Sequence, residues 1–144
     1  MFQRILVGWD GSRPARRALD LAVDIARRYQ AEICAVSVAH APAHAETQAD
    51  LAESVDAARR YLTETLASVR DRADRVGVPL EHVVVEGDHP AEDLLRYAHE
   101  HAFDLVVVGH HRGRAGRLRL HGVAEKLVAE GEIPVLSVTE ANGT

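Results

Sequence analysis

The stretch DLVVVGHHRGRAGRLRLHGVAEKL, residues Asp104 to Leu127, decides the fold. It begins with an almost fully apolar segment, typical of a strand that is covered on both faces. A basic, glycine-rich loop follows and leads into a helical pattern. Such a loop is suited to holding phosphate, because glycine lets the backbone approach an anion and a helix N-terminus offers unpaired N–H groups. An ordinary strand-to-helix turn explains the same stretch, and both interpretations stay open.

The rest of the chain alternates between strand-like and helix-like segments. Short apolar runs predict strands, and apolar residues at three- and four-residue steps predict helices. The predicted strands are Phe2–Val7, Ala31–Ala39, Leu80–Glu86, Asp104–Val108 and Ile133–Val138. The predicted helices cover Arg13–Tyr29, the segment from Leu51 through Ala73 that Gly77 and Pro79 end, a shorter segment through Leu94, Leu95, Ala98 and Ala102, and Leu120–Glu130. Strict alternation predicts an α/β fold, an open parallel sheet with helices on both faces.

Three connections carry turn or loop signals. Trp9–Ser12 predicts a turn, with Ser12 as the N-cap of the first helix. His40–Asp50 has no clear period and predicts a loop. Asp88–Pro90 predicts a capping turn for the third helix rather than an acid–base pair.

Length and composition are those of an ordinary globular protein. The chain has 144 residues, of which 47% are hydrophobic and 27% are charged. We expect one domain over residues 1–140 and a frayed C-terminus over residues 141–144. The apolar runs are too short for a membrane span, and the N-terminus enters a strand pattern without an export signal. We therefore expect a cytoplasmic protein that does not contact a membrane.

Charge and chemistry-bearing residues narrow the function. The net charge of −5 argues against binding nucleic acid, whereas the local cluster of arginines between Arg112 and Arg119 suits a small anion. Cys34 lies in an apolar run and is predicted to be a buried, inert thiol. His110 and His111 are interpreted as surface residues rather than metal ligands. Because no catalytic spacing is present, we expect neither a metal site nor a catalytic centre.

The predicted sheet indicates where a ligand would bind. In an open parallel sheet the crevice lies outside the carboxyl ends of the strands. Asp10 lies just past the first strand and Gly109 just past the fourth, so both would face one crevice if those strands are neighbours. The pattern of residues does not determine that adjacency.

Five collinear segments resemble the universal stress protein family across nearly the whole chain. They are ILVGWDGS (Ile5–Ser12), EGDHPAEDLL (Glu86–Leu95), DLVVVG (Asp104–Gly109), VAEKL (Val123–Leu127) and IPVLSV (Ile133–Val138). The resemblance implies a five-stranded, doubly wound sheet of the adenine nucleotide alpha hydrolase-like type, with strand order 3-2-1-4-5. It also implies a homodimer and a role in stress adaptation.

Many members of this family bind ATP or a related adenine nucleotide through three spaced glycines followed by Ser or Thr. Here Gly109 matches the first glycine, and Arg112 stands where the second is expected, with Gly113 one place late. Gly122 fits the third glycine, but Val123 replaces the hydroxyl residue. Losing that hydroxyl would cost on the order of 1.5–3 kcal/mol of binding free energy. If the family motif is instead aligned on VAEKL (Val123–Leu127), Gly122 takes the position of the Ser or Thr, and the hydroxyl is again missing.

Two further positions match the family's ligand site. Asp10 resembles an acidic residue that lies near the nucleotide and its metal, although an Asx turn at Gly11 and Ser12 explains it equally. The backbone at Val38 matches the place where the adenine edge is recognised, although a core strand is the plain alternative. The resemblance thus implies a nucleotide site at Asp10, Val38, Gly109, His110, Arg112, Gly113, Gly122 and Val123.

The sequence therefore supports a primary hypothesis and two rivals. The first is a homodimeric module that binds ATP, with Mg²⁺, or AMP in the Asp10/Gly109 crevice, without requiring a cofactor and without fast turnover. The second is a stress protein that binds no nucleotide and acts through protein contacts, and the third is a slow nucleotide hydrolase. The strand Pro134–Val138 is predicted to form the dimer, because an apolar edge strand needs covering.

Overall fold

A computed structural model describes residues 1–40, 47–110 and 132–139. The elements follow one another as β1 (Arg4–Gly8), α1 (Arg13–Tyr29), β2 (Glu32–Ala39), α2 (Gln48–Arg75), β3 (Leu80–Glu86), α3 (Pro90–Glu100), β4 (Leu105–His110) and β5 (Val135–Thr139). Every strand and helix predicted within these residues is present, with ends that shift by a few residues. The predicted helix Leu120–Glu130 and the end predicted to fray, residues 141–144, lie outside the described residues.

The strands form one parallel sheet of five in the order β3-β2-β1-β4-β5. β1 lies at its centre, where Ile5 is opposite Ile33 of β2 on one side and Leu105 of β4 on the other. This confirms the predicted fold class and strand order. It also supplies the adjacency that the residue pattern leaves open, because β1 and β4 end side by side.

The sheet separates two apolar layers, and alternate residues of each central strand enter opposite layers. Ile5 and Val7 pack with α1 and α2, whereas Leu6 packs with α3, and all three side chains are fully buried. Burying each such side chain contributes about 1.5–3 kcal/mol. This two-sided burial explains why the central strands lack polar alternation.

Two helix ends differ from the predicted ones for local reasons. α2 begins at Gln48 instead of Leu51, since the Thr47 hydroxyl accepts a hydrogen bond from Asp50 N–H at 3.0 Å. Its first turn faces solvent and therefore shows no apolar period, so the predicted loop His40–Asp50 was too long. α3 ends at Glu100 instead of Ala102, because Ala102 adopts a φ of +56° that turns the chain toward β4.

Cys34 is buried in the layer covered by α3. Burial, with the nearby charge of Glu81, raises the pKa of its thiol to about 11. The predicted burial of Cys34 is confirmed, and a thiol with this pKa stays protonated near neutral pH. Among the described residues, none of the helices combines the length and the apolar character that a bilayer crossing demands.

Candidate functional site

A cavity of about 170 Å³ opens at the carboxyl ends of β1 and β2. It is smaller than the roughly 300–1,000 Å³ of cavities that enclose a drug-sized ligand, so it suits one ring system rather than a whole nucleotide. Its walls come from the β1–α1 loop, the end of β2, and one turn each of α2 and α3. The lining residues are Trp9, Asp10, Val36, Val38, Ala39, His40, Ala58, Tyr61, Leu62, Pro90 and Leu94.

Trp9 forms a fixed, buried part of the cavity wall. Its backbone N–H donates to Val36 O at 2.9 Å, and its indole N–H donates to Leu62 O at 3.0 Å. Its own carbonyl accepts a hydrogen bond of 2.7 Å from the Ser37 hydroxyl. Because these bonds tie the residue to both β2 and α2, the loop after β1 has a defined position.

Asp10 lines the cavity and also stabilises its own turn. One carboxylate oxygen accepts a hydrogen bond from Ser12 N–H at 2.9 Å, which confirms the Asx turn. The Ser12 hydroxyl in turn accepts from Ala15 N–H at 3.3 Å, which confirms the N-cap of α1. The Asp10 side chain therefore holds the turn and also lines the cavity, so the two interpretations of Asp10 are compatible.

The backbone of Val38 faces the cavity because β2 is longer than β1 at this end. Pairing between the two strands stops at Gly8 and Val36, while β2 continues to Ala39. Val36 O points toward β1, where it accepts from Trp9 N–H, and Ala39 O points toward β3, where it accepts from Gly87 N–H. The backbone N–H and C=O groups of successive residues point to opposite sides of a strand. Those of Val38 therefore point to the β1 side, beyond the last paired residue of β1.

A polar contact joins His40, in the cavity wall, to the turn before α3. His40 Nδ1 lies 3.2 Å from an Asp88 carboxylate oxygen, so the end of β2 is joined to the turn before α3. The predicted turn at Asp88–Pro90 is present, but its capping group is different. The Asp93 carboxylate accepts the His89 N–H at 3.2 Å, and Asp88 pairs with His40 instead.

Gly109 brings β4 into contact with the first turn of α1. A Cβ placed on Gly109 would overlap the Pro14 carbonyl carbon and would lie 2.6 Å from Pro14 O and 2.7 Å from Ala15 N. The glycine is therefore required by close packing of two backbones. Because of this contact, the loop after β1 and the end of β4 meet at one edge of the sheet.

The remaining predicted site residues divide into two groups. His110 is the last residue of β4, is half-buried, and lies opposite Thr139 of β5. Arg112, Gly113, Gly122 and Val123 lie outside the described residues. The structure therefore brings Asp10, Val38 and the Gly109–His110 strand end to one edge of the sheet.

Of the residues that line the cavity, the sequence predicted only Asp10 and Val38 as site residues, and those that it missed include His40, Tyr61 and Leu94. Tyr61 had a detectable signal, because an aromatic residue beside the apolar stripe of an amphipathic helix falls at the edge of its buried face. His40 and Leu94 had none, since their positions depend on how far β2 and α3 extend past the sheet edge.

A chain of hydrogen bonds from β2 and β3 supports the loop after β1, through the buried Ser37 and the half-buried His82. Ser37 Oγ lies 3.1 Å from His82 Nε2. The single hydroxyl hydrogen of Ser37 is directed at Trp9 O, so His82 Nε2 carries a hydrogen and donates it to Ser37. Burial, together with the charges of Arg70 and Arg59, lowers the pKa of His82 to about 4, so the imidazole is neutral near pH 7.

Comparisons with known proteins agree on one family. A model described as the universal stress protein family matches residues 1–139. The chain is 32% identical to the universal stress protein YxiE of Bacillus subtilis over 96% of this chain and 99% of that protein. It is also similar to a universal stress protein family structure from Burkholderia pseudomallei, with a TM-score of 0.76, 31% identity, and coverage of 95% and 96%. A second similar structure is a universal stress protein in complex with cAMP, with a TM-score of 0.70, 29% identity, and coverage of 95% and 97%.

Proposed function

The chain belongs to the universal stress protein family, and from this membership we propose that it is a cytoplasmic module that binds an adenine nucleotide. The ligand is AMP or ATP, and the protein holds it rather than turning it over quickly. The base occupies the cavity at the ends of β1 and β2, and the sugar and phosphates extend along the sheet edge toward β4.

The observation that carries this proposal is the position of the Val38 backbone. Its N–H and C=O lie in the wall of an apolar cavity, past the last residue that β1 pairs with β2. An adenine edge presents an amino donor beside a ring nitrogen acceptor, which is the complement of one backbone C=O and one N–H. The cAMP complex of a similar universal stress protein supports an adenine ligand in this family.

The sugar and phosphates are assigned to the other half of the edge. We place Asp10 beside them, together with the Mg²⁺ that accompanies ATP, and we place Gly109 and His110 at the end of β4 on the same side. Arg112, Gly113, Gly122 and Val123 complete this half in the proposal. Since the hydroxyl of the family motif is missing, we expect the base to supply most of the affinity.

We also propose that two chains pair through β5. In the described part of the chain β5 pairs with β4 on one side, and its Val135 and Leu136 are half-buried. Covering such an edge with a second copy removes an exposed apolar strand. A homodimer that binds protein partners without nucleotide is the alternative function that this edge favours.

A cavity-filling substitution tests the proposal against this alternative. Ala58 lines the cavity from α2, whereas its neighbour Ala57 is exposed on the same helix. We expect AMP or ATP to raise the melting temperature of the wild type, because a ligand at 100 times its Kd stabilises the native state by about 2.7 kcal/mol. Ala58→Leu should abolish this shift, and Ala57→Leu should retain it.

The same measurements decide between the two functions. If neither nucleotide at millimolar concentration changes the melting temperature of the wild type, the nucleotide proposal is wrong. Sedimentation of that sample as a dimer at micromolar concentration would then support the protein-interaction alternative. A shift that persists in Ala58→Leu would show that the nucleotide binds elsewhere.

A further inference from the structure

Tyr61 presents an uncovered aromatic ring at the cavity. All Phe, Trp and Tyr residues of the chain lie in the described residues, and most of their rings are covered. Phe2 packs on Tyr29 with ring centroids 5.6 Å apart, Tyr97 stacks on the His101 ring at 4.0 Å, and Trp9 is 1% exposed. The Tyr61 residue is 55% exposed, and no other ring of residues 1–40, 47–110 or 132–139 stacks on it.

The position of this ring is fixed by its neighbours. Tyr61 precedes Leu62, which is buried and whose carbonyl accepts the indole N–H of Trp9 at 3.0 Å. On the other side, the Tyr61 hydroxyl lies 3.2 Å from the point where a Cβ on Gly11 would stand. The ring therefore lies between the cavity and the turn at Asp10, on a helix that is anchored to the site.

The cavity lies between side chains that come from the two sides of the sheet, and the space between them is called the slot here. Tyr61 enters from α2, on one side of the sheet, and Pro90 and Leu94 enter from α3, on the other. A planar heterocycle in this slot would lie against an aromatic face and aliphatic groups, and its edge would meet the Val38 backbone. Base–aromatic stacking contributes about 1–3 kcal/mol per base and tolerates any base, because every base has a π face.

We infer that Tyr61 is a binding residue that stacks on the base of the ligand, so that the site ranks ligands by their base more than by their phosphates. This inference rests on the nucleotide-binding function proposed above. Adenosine should therefore bind with an affinity close to that of AMP, whereas ribose 5-phosphate, which has no base, should not bind measurably. A purine nucleotide should bind more tightly than uridine monophosphate, because its larger ring covers more of the tyrosine face.

Substitutions at Tyr61 test the inference in the full-length protein. Trp9 is the single tryptophan of the chain and lies in the cavity wall, so its fluorescence reports binding. Tyr61→Ala should weaken AMP binding by roughly 5- to 100-fold and should lower the ratio of AMP to uridine monophosphate affinity. Tyr61→Phe should keep AMP affinity within about twofold, since the ring is retained. Tyr29→Ala, at an exposed tyrosine outside the cavity, is the matched control and should bind AMP like the wild type.

The outcomes separate this inference from the proposed function. AMP that binds the wild type and Tyr61→Ala equally overturns the role of Tyr61 and leaves the proposed function standing. AMP that does not bind the wild type overturns both. Equal losses in Tyr61→Ala and Tyr61→Phe would assign the effect to the hydroxyl and would also overturn the inference.

Tyr61→Ala could also lower AMP affinity by loosening the turn at Asp10, and the ratio of AMP to uridine monophosphate affinity distinguishes this effect from lost stacking. In that case AMP and uridine monophosphate would weaken by the same factor, which would overturn the stacking role. Tyr61→Leu keeps an apolar side chain against Gly11, so it provides a second variant in case Tyr61→Ala does not fold. It should show the same reduced AMP selectivity as Tyr61→Ala.

Discussion

The loop after β1 and the end of β4 lie side by side at the same sheet edge, but different interactions hold them. At the end of β4, Gly109 packs its backbone directly on Pro14 and Ala15 of α1. In the loop after β1, hydrogen bonds from Ser37 to Trp9 O and from Trp9 to Leu62 O set the position of the chain. One region depends on close steric fit and the other on polar contacts and backbone conformation.

This difference indicates how the two halves of the site respond to change. A backbone-to-backbone contact leaves no space for a side chain, since neither partner can rotate away. A hydrogen-bonded loop can shift by small amounts and can respond to protonation of a group that supports it. We therefore expect the strand end to behave as a fixed support and the loop as the adjustable side of the cavity.

The strongest test of the comparison is Gly109→Ala. Its Cβ would overlap the Pro14 backbone, so α1 would have to move away from β4, and we expect a loss of about 3 kcal/mol or more in the free energy of unfolding. Urea unfolding followed by circular dichroism measures this loss.

Gly87→Ala is the matched control for Gly109→Ala. Its Cβ would meet the carboxylate of Asp93, a side chain that can rotate away, so the cost should be about 1 kcal/mol, the loss of the Asp93 hydrogen bond to His89 N–H at the start of α3. Equal costs for the two variants would show that the contact at β4 adapts as easily as a side chain does, and the comparison would fail.

A smaller effect is expected for Gly11→Ala in the loop after β1. Gly11 has a φ of +79°, and its Cβ would lie 3.1 Å from Thr65 Oγ1 and 3.2 Å from the Tyr61 ring and hydroxyl. Gly77 has a φ of +75° with nothing within 4 Å, so Gly77→Ala measures the conformational cost alone. That cost is about 1–2 kcal/mol, and Gly11→Ala should exceed it by the cost of displacing two side chains.

The two alanine variants together show what the loop requires. The expected order of unfolding free energies is wild type, Gly77→Ala, then Gly11→Ala, measured by the same urea titration. If Gly11→Ala costs no more than Gly77→Ala, the side chains of α2 move aside freely, and the turn is held by its own hydrogen bonds only.

The fold was predictable because its signals are repeated along the chain. A fully apolar strand such as Leu105–Val108 is stable only when both of its faces are buried. Because such strands alternate with amphipathic helices along the chain, a parallel sheet with helices on its faces follows. Periodicity failed where an element begins outside the core. Ala49 is the single apolar residue from Gln48 to Asp50 and it is exposed, so no apolar period marks this turn. The start of α2 is marked by the cap at Thr47, which is a single side-chain contact.

The site was predictable only in part, because it depends on tertiary contacts. Asp10 and Gly109 follow from the rule for strand ends, and Val38 followed from the family resemblance rather than from its side chain. The structure supplies the physical reason for Val38, since β2 continues past the last pair between Gly8 and Val36. Gly109 had two possible roles in the sequence, and only the position of Pro14 shows that packing requires it.

The final test concerns the polar support of the loop, and its expected effect is the smallest. Burial lowers the pKa of His82 to about 4 in the folded protein, from 6.5, the ordinary value expected in the unfolded chain. Between these values the unfolded state binds more protons, so the free energy of unfolding falls as pH decreases from about 6.5 to 4 and levels off below. Because His82 is half-buried and its charge is screened, we expect this component to be roughly 1–2 kcal/mol.

His82→Gln isolates that component, because the glutamine amide can still donate to Ser37 but does not titrate. Urea unfolding at pH 7, 5.5 and 4 should show a shallower loss of stability in His82→Gln than in the wild type, while His89→Gln, at an exposed position, should follow the wild type. Identical pH profiles for all three proteins would mean that no titrating group behind Trp9 supports the loop. The loop after β1 would then depend on packing, as the end of β4 does, and the distinction between the two halves of the site would disappear.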